Sequence, residues 1–241
     1  SGIPVILKNP NGAAGWIGTA LTDVVTGIDT EKLSDPTERE RISVVQRRVA
    51  LKKHSFPERL KQIRLNAELA VLSSPSVSVV VATNRPQMVE RIIRMVSVQD
   101  YPNKELVLAL HGDEFGDINP VVPNELPLTV LHFPSKSLFG DVLSKASIAA
   151  SGEWQTKMDD DDWYGSEHIS DLLLAANYSD AELIGKGSEF VYLEDEDLTI
   201  RRDLGDSETE SRTLAGGTLM IRTEMLRATS GWRSLSQGVD V

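Results

Sequence analysis

Residues 77–110, VSVVVATNRPQMVERIIRMVSVQDYPNKELVLAL, hold the pattern from which the fold can be read. Val77 to Ala82 is a run dominated by valine, of the kind that fills a parallel strand covered on both faces. Pro86 suits a first helical turn, and Val89, Ile92, Ile93 and Val96 recur at helical spacing as far as the Asp100-Tyr101-Pro102-Asn103 turn. Glu105 to Leu110 then reads as a second strand. Downstream the alternation continues with strand Leu128 to His132, helix Leu138 to Ala150, a strand around Trp154 to Met158 and a helix from Ser166 to Ala176. Such alternation predicts an α/β, doubly wound, mostly parallel sheet whose ligands bind beyond the carboxyl ends of its strands. Beyond Asp180 the pattern gives strands without clear helices between them (Leu183 to Leu193, Thr199 to Arg201, Gly217 to Ile221), which predicts a small antiparallel part.

Upstream, Ser73-Ser74-Pro75-Ser76 reads as a linker, which places a domain boundary between residues 1–74 and 75–241. Residues 3–8 (IPVILK) form a short strand pattern followed by the loop chemistry of NPNGAAG. A helix is expected from Pro36, capped by Asp35 or Ser34, with Glu38 and Glu40 early and Arg47, Arg48, Lys52 and Lys53 late, as the helix dipole favours. Phe56-Pro57 breaks it, and a second helix is expected from Pro57 to about Leu72, with Leu60, Ile63, Ala67 and Val71 on one stripe. One strand and two helices bury too little surface to stand alone. A chain that starts at Ser1 and stops at Val241 is expected to be a piece of a longer protein.

With 241 residues, 40% hydrophobic and 25% charged, the chain has the composition of a folded soluble protein. A formal charge of -11 with no local basic patch argues against nucleic-acid binding. The absence of cysteine excludes disulfides and thiolate metal sites and agrees with a reducing compartment. No apolar stretch approaches the roughly 18 residues that span a bilayer, and the N-terminus lacks a signal-peptide pattern. The expectation is a cytoplasmic protein, free or peripheral to the inner face of the membrane.

Four consecutive aspartates, Asp159 to Asp162, follow the strand that ends at Met158. An acidic run is ordinarily a solvated loop. At the carboxyl end of a strand, however, the repulsion between carboxylates is relieved by a divalent cation, and hard oxygen ligands suit Mg²⁺ or Mn²⁺. Such a metal can bridge diphosphate oxygens and stabilise a departing nucleotide.

Residues 152–165, GEWQTKMDDDDWYG, resemble the segment of family 2 glycosyltransferases in which a Gly-Glu, a strand and an Asp-x-Asp motif occur in that order. The resemblance implies a GT-A fold, with Asp161 as main metal ligand and Asp159 assisting through the metal's waters or the ribose; Asp160 stands beside them as a donor contact. Ala82-Thr83-Asn84-Arg85-Pro86 is similar to the family's first nucleotide-contacting loop, which implies Thr83 and Arg85 near the base and diphosphate. In LVLALHGDEF, His111 falls where the family commonly has a base-contacting aspartate, with Asp113 as a secondary candidate. Lys145 replaces the more usual Asn of a Gly-x-x-x-x-Asn helix; it meets a phosphate or is simply a solvated lysine. GGTLMIRTEMLRATSGWRSLSQGVDV resembles the acceptor-side region, with Val239-Asp240 in place of a Glu-Asp pair, which implies Asp240 as general base. Trp163 and Trp232 are candidates to stack on a sugar or to pack in the core.

What the resemblance implies is a metal-dependent, inverting transfer of a sugar from a UDP-, dTDP- or GDP-linked donor to a glycan or lipid-linked acceptor in polysaccharide synthesis. GIPVILKNPNG, DPTERERIS and KKHSFPERLKQI resemble the end of a GT-B (group 1) glycosyltransferase domain, so residues 1–74 read as its remnant and 75–241 as a GT-A domain truncated at its C-terminal end. Two other readings stay open. A nucleotidyltransferase also uses such a sheet and acidic ligands, although Ala82 to Pro86 lacks the Gly-rich phosphate loop; and Val239 and His111 leave room for a degenerate, carbohydrate-binding module.

Overall fold

A computed structural model describes residues 34–70, 73–116, 118, 120–123, 125–187, 189–202 and 208–238. The strand expected at 3–8 and the candidate base Asp240 lie outside the described residues. The chain divides into two compact units, Ser1–Ser73 and Ser74–Val241.

In the first unit, α1 (Pro36–His54) starts where the sequence says it should. The Asp35 side chain accepts from Thr37 N at 2.8 Å, Glu38 lies in the first turn and Lys52, Lys53 and His54 lie in the last. Helix α2 (Phe56–Asn66) stops short of the Leu72 expected from its apolar stripe. The reason is a Schellman closure: Glu68 takes a left-handed conformation, Leu69 N donates to Arg64 O at 2.8 Å and Glu68 N to Leu65 O at 3.1 Å. Leu60 and Ile63 of the stripe are exposed.

The second unit is built on β1 (Val77–Thr83), β2 (Lys104–His111), β3 (Leu128–Phe133), β4 (Trp154–Lys157), β5 (Leu183–Ile184) and a strand following a separate hairpin of β6 (Phe190–Leu193) and β7 (Leu198–Arg201). That last strand, β8 (Met220–Arg222), enters the main sheet, whose order is β3-β2-β1-β4-β8-β5. Strands β1 to β4 are parallel; β8 runs antiparallel to both β4 and β5. The antiparallel part expected beyond Asp180 is therefore divided between the β6–β7 hairpin and strands that extend the parallel sheet.

Valine pleating explains why β1 is central. Val77, Val79 and Val81 point into one layer with Ile92 and Val96 of α3 (Val89–Ser97) and Ile169, Leu172 and Leu173 of α5 (His168–Ser179). Val80 points into the other, with Val142, Leu143 and Ala146 of α4 (Phe139–Ala149). Both faces are thus covered, as a run without polar alternation requires. The sheet grows from β1 to β2 and β3 on one side and then returns to place β4 on the other. The crevice beyond the carboxyl ends of β1 and β4 is consequently the switch point where doubly wound sheets bind ligands.

At the opposite end of these strands, half-buried Glu105 ties β2 to the turn before β4. Its Oε1 accepts from Ser78 Oγ at 2.5 Å, Ser151 N at 2.7 Å and Ser151 Oγ at 2.9 Å. Burial pushes its carboxyl up, yet the hydrogen bonds from Ser78, Ser151 and Gly152 outweigh burial and hold it below the usual carboxylate range. A depressed folded-state value stabilises the fold above the unfolded value of about 4.3, and that contribution disappears as pH falls through the folded value. Glu105→Gln is therefore expected to destabilise the protein by about 1–2 kcal/mol at neutral pH and by clearly less near pH 3. Urea unfolding of both proteins at the two pH values checks this; a pH-independent difference contradicts it.

Candidate functional site

A cleft of about 260 Å³ opens at the switch point, lined by Thr83 at the end of β1 and Arg85 after it, His111 at the end of β2, Phe139 of α4, Asp159, Asp160 and Asp161 after β4, and Ser236 among others. The sequence candidates Thr83, Arg85, His111, Asp159, Asp160 and Asp161 are brought together here.

The loops after β1 and β4 are joined by charge. Asp160, 7% exposed, accepts from Thr83 Oγ1 at 2.5 Å, from Arg85 Nε at 3.0 Å and from Arg85 Nη2. Arg85 Nη2 also lies 2.9 Å from Asp161 Oδ2. These hydrogen bonds, Asp160 before Asp161, raise the guanidinium further above its ordinary value. For Asp161, burial pushes the carboxyl up, but the hydrogen bond and charge of Arg85 outweigh it and hold it low. Asp162 moves the other way, raised by burial and by the neighbouring charges of Asp159 and Asp161.

Several groups that the sequence did not single out hold this loop. Arg91 of α3 donates from Nη2 to Asp161 O at 3.2 Å and Asp162 O at 3.1 Å. Lys157, buried at the end of β4, donates to Asp159 Oδ1 at 2.7 Å. Buried Tyr164 donates to Gly217 O at 2.6 Å and accepts from Asp159 N at 2.8 Å. Its hydroxyl is held protonated well above the ordinary tyrosine range, chiefly by burial. A side chain on Gly217 would meet Asp159 Oδ2 at 2.4 Å, Tyr164 Oη at 2.9 Å and Asp162 Oδ2 at 3.0 Å, so only glycine leaves this space beside the carboxylates. His168 packs edge-on against Tyr164 with ring centroids 4.9 Å apart; burial and then Lys186 push its imidazole down to about 3, so it stays neutral.

The remaining candidates fall elsewhere. Asp113 sits in an exposed turn, accepting from Ser135 Oγ at 2.6 Å. Lys145 is exposed on α4 with its ammonium 5.8 Å from the Phe133 ring centre, and neither residue lines the cleft. Trp232 packs against the α4 side of the core and donates from Nε1 to Ser147 Oγ at 2.9 Å, whereas Trp163 is 92% exposed. The segment leading towards Asp240 is fixed on α4: Gly140 N donates to Leu235 O at 2.9 Å, and Ser236 reaches the cleft wall.

Glycosyl transferase family 2 matches this chain over residues 78–218, more than half of its length and the whole of the β1-to-Gly217 framework around the cleft. The chain belongs to glycosyl transferase family 2. No curated protein gives a significant match. Among solved structures, the mannosyltransferase PcManGT from Pyrobaculum calidifontis, in complex with GDP-Man and Mn²⁺, is similar at a TM-score of 0.52 and 16% identity, over 80% of this chain and 60% of that one. S. aureus TarS 1-349 in complex with UDP-GlcNAc is similar at 0.52 and 18% identity, over 68% of this chain and 51% of that one. At such identities the likeness speaks for the fold, which is GT-A; this family 2 chain spans less than two thirds of either structure. No helix among the described residues is long and apolar enough to cross a membrane.

Tyr164→Phe strands Gly217 O and Asp159 N in a buried setting, and is expected to cost about 1–3 kcal/mol. Denaturant unfolding measures it; a loss under about 0.5 kcal/mol means that the hydroxyl does not hold the aspartate loop.

Proposed function

We propose that this family 2 domain forms the donor site of a metal-dependent, inverting glycosyltransferase that moves a sugar from a nucleoside diphosphate sugar to an acceptor hydroxyl. The observation that carries this reading is the convergence of Thr83, Arg85 and His111 with three consecutive aspartates on one cleft at the β1/β4 switch point.

A divalent cation fits the residues present. Asp159 and Asp162 bring one oxygen each together against Gly217, where a Cβ would displace them, and Asp161 is held ionised. Among the described residues no three acidic or histidine groups converge as a closed metal cage, and Arg85 and Lys157 engage the carboxylates. This suits Mg²⁺ or Mn²⁺ shared between one or two carboxylates, water and diphosphate oxygens. Asp161 is the proposed main ligand and Asp159 the second. When bound, the metal neutralises the charge that develops on the leaving diphosphate.

The protein's own groups supply the rest. Arg85, anchored by buried Asp160, presents a guanidinium to the diphosphate in an otherwise acidic cleft. His111 has a buried Nε2 without a hydrogen-bond partner among the described residues, on the cleft wall where a base would offer one. Asp240 is proposed as the base that takes the acceptor proton for in-line attack at the anomeric carbon. Ser236, four residues before it, reaches the cleft and supports this reading. PcManGT bound to GDP-Man and TarS bound to UDP-GlcNAc make guanosine and uridine donors the first to test.

Calorimetry with GDP and UDP in Mn²⁺ tests the metal assignment. Asp161→Ala is expected to lower affinity at least about tenfold, and chelation to remove most binding to the parent. Binding that survives both changes refutes it. In a chain that retains transfer activity, Asp240→Asn is expected to lower turnover about 10²- to 10⁴-fold with donor affinity nearly unchanged. Equal turnover moves the base elsewhere.

A further inference from the structure

Resting on the metal-assisted reading above, we propose that Lys157 is a positioning residue: its ammonium fixes Asp159 and sets the charge of the site so that it takes a divalent cation together with a diphosphate.

Lys157 is 5% exposed and ends a strand whose other residues, Trp154, Gln155 and Thr156, are all buried. The strand itself has no need of a charge there, since the backbone of Lys157 bonds through N–H to Leu219 O at 2.9 Å and is paired with Val80. A buried ammonium is costly unless it is paired, and an apolar side chain would fill this position at lower cost. The ion pair with Asp159 Oδ1, at 2.7 Å, gives the charge its purpose. It takes up one oxygen of Asp159 and leaves Oδ2 packed against Gly217, next to Asp162 Oδ2.

The two cations paired with the acidic run differ in what they can reach. Arg85, with its side chain 37% exposed, lines the cleft and can meet a ligand. Lys157 does not line it and acts through Asp159. Asp159 to Asp162 carry four negative charges when ionised; Arg85 and Lys157 pair with carboxylates of the run and Arg91 lies beside Asp161 and Asp162, which leaves a net negative balance that a divalent cation offsets. Without the ammonium the cleft becomes more attractive to a bare metal ion and less attractive to the anionic diphosphate that must sit on that metal. The two affinities then move in opposite directions, whereas damaged packing lowers both.

The full chain is tested with Mn²⁺ alone, by electron paramagnetic resonance of the free ion, and with GDP and UDP at saturating Mn²⁺, by calorimetry. Lys157→Met is expected to bind Mn²⁺ about tenfold more tightly and diphosphate about tenfold more weakly, and Lys157→Arg to stay near the parent on both. A folded Lys157→Met that changes neither affinity, or lowers both, overturns the proposal. Should that variant fail to fold, Asp159→Asn removes the carboxylate charge that faces the ammonium and is expected to bind GDP or UDP more tightly than the parent in chelator; unchanged metal-free binding overturns it. A parent that binds neither diphosphate with Mn²⁺ removes the donor-site reading itself, an outcome distinct from a normal parent with an indifferent Lys157 variant.

Discussion

Four adjacent carboxylates at the end of a buried strand repel one another, and the rest of this unit is arranged around containing that repulsion. Arg85 grips Asp160 and Asp161 from the β1 side, Lys157 holds Asp159 from within the sheet, and Arg91 fixes the backbone of Asp161 and Asp162. These contacts join β1, β4 and α3 at the edge where a doubly wound sheet changes direction. The position of the acidic run is therefore a consequence of topology: only neighbouring parallel strands bring the residues after Thr83 and after Met158 to the same end of the sheet.

That topology was legible because the valines of β1 carry no polar alternation, and a strand that is apolar on both faces must be covered on both. The helical spacing of Val89, Ile92, Ile93 and Val96 and the proline turns between elements completed the pattern. Two features resisted such reading. The apolar stripe of α2 continues past Asn66, but a left-handed Glu68, which no periodicity announces, ends the helix earlier. Strand β8 was visible as a strand; that it joins the main sheet beside β4 depends on long-range pairing that local sequence does not encode.

The site was legible as far as single residues at strand ends allow. Thr83, Arg85, His111 and the aspartates could be placed because strands in register point their following residues at one crevice. The supporting groups were not. Tyr164 carried no signal of its own in the sequence, and its bond to Gly217 depends on a segment more than fifty residues away returning to the same place. Gly217 read as part of a strand and is instead a close approach of backbone to carboxylates. Lys157 carried the one available signal, a charge at the end of a strand that the sheet buries, since an unpaired lysine there would be too costly to keep.

The Asp-x-Asp resemblance leaves the middle residue open, and the geometry gives a reason for it to be an aspartate here. Pleating beyond β4 leaves Asp159 partly buried, Asp160 buried and Asp161 exposed. The middle residue thus points inward, where it meets the guanidinium from β1 and the hydroxyl of Thr83. Were a metal held by Asp161, Arg85 would stay in place, because Asp160 engages both Nε and Nη2 of the guanidinium. The donors of the planar fork not taken by Asp160 would then be available to a diphosphate in the cleft. An alanine at 160 would leave Arg85 held by Asp161 alone, the residue proposed to hold the metal. On the proposed reading, the second carboxylate of the run lets a metal and the arginine share one small cleft.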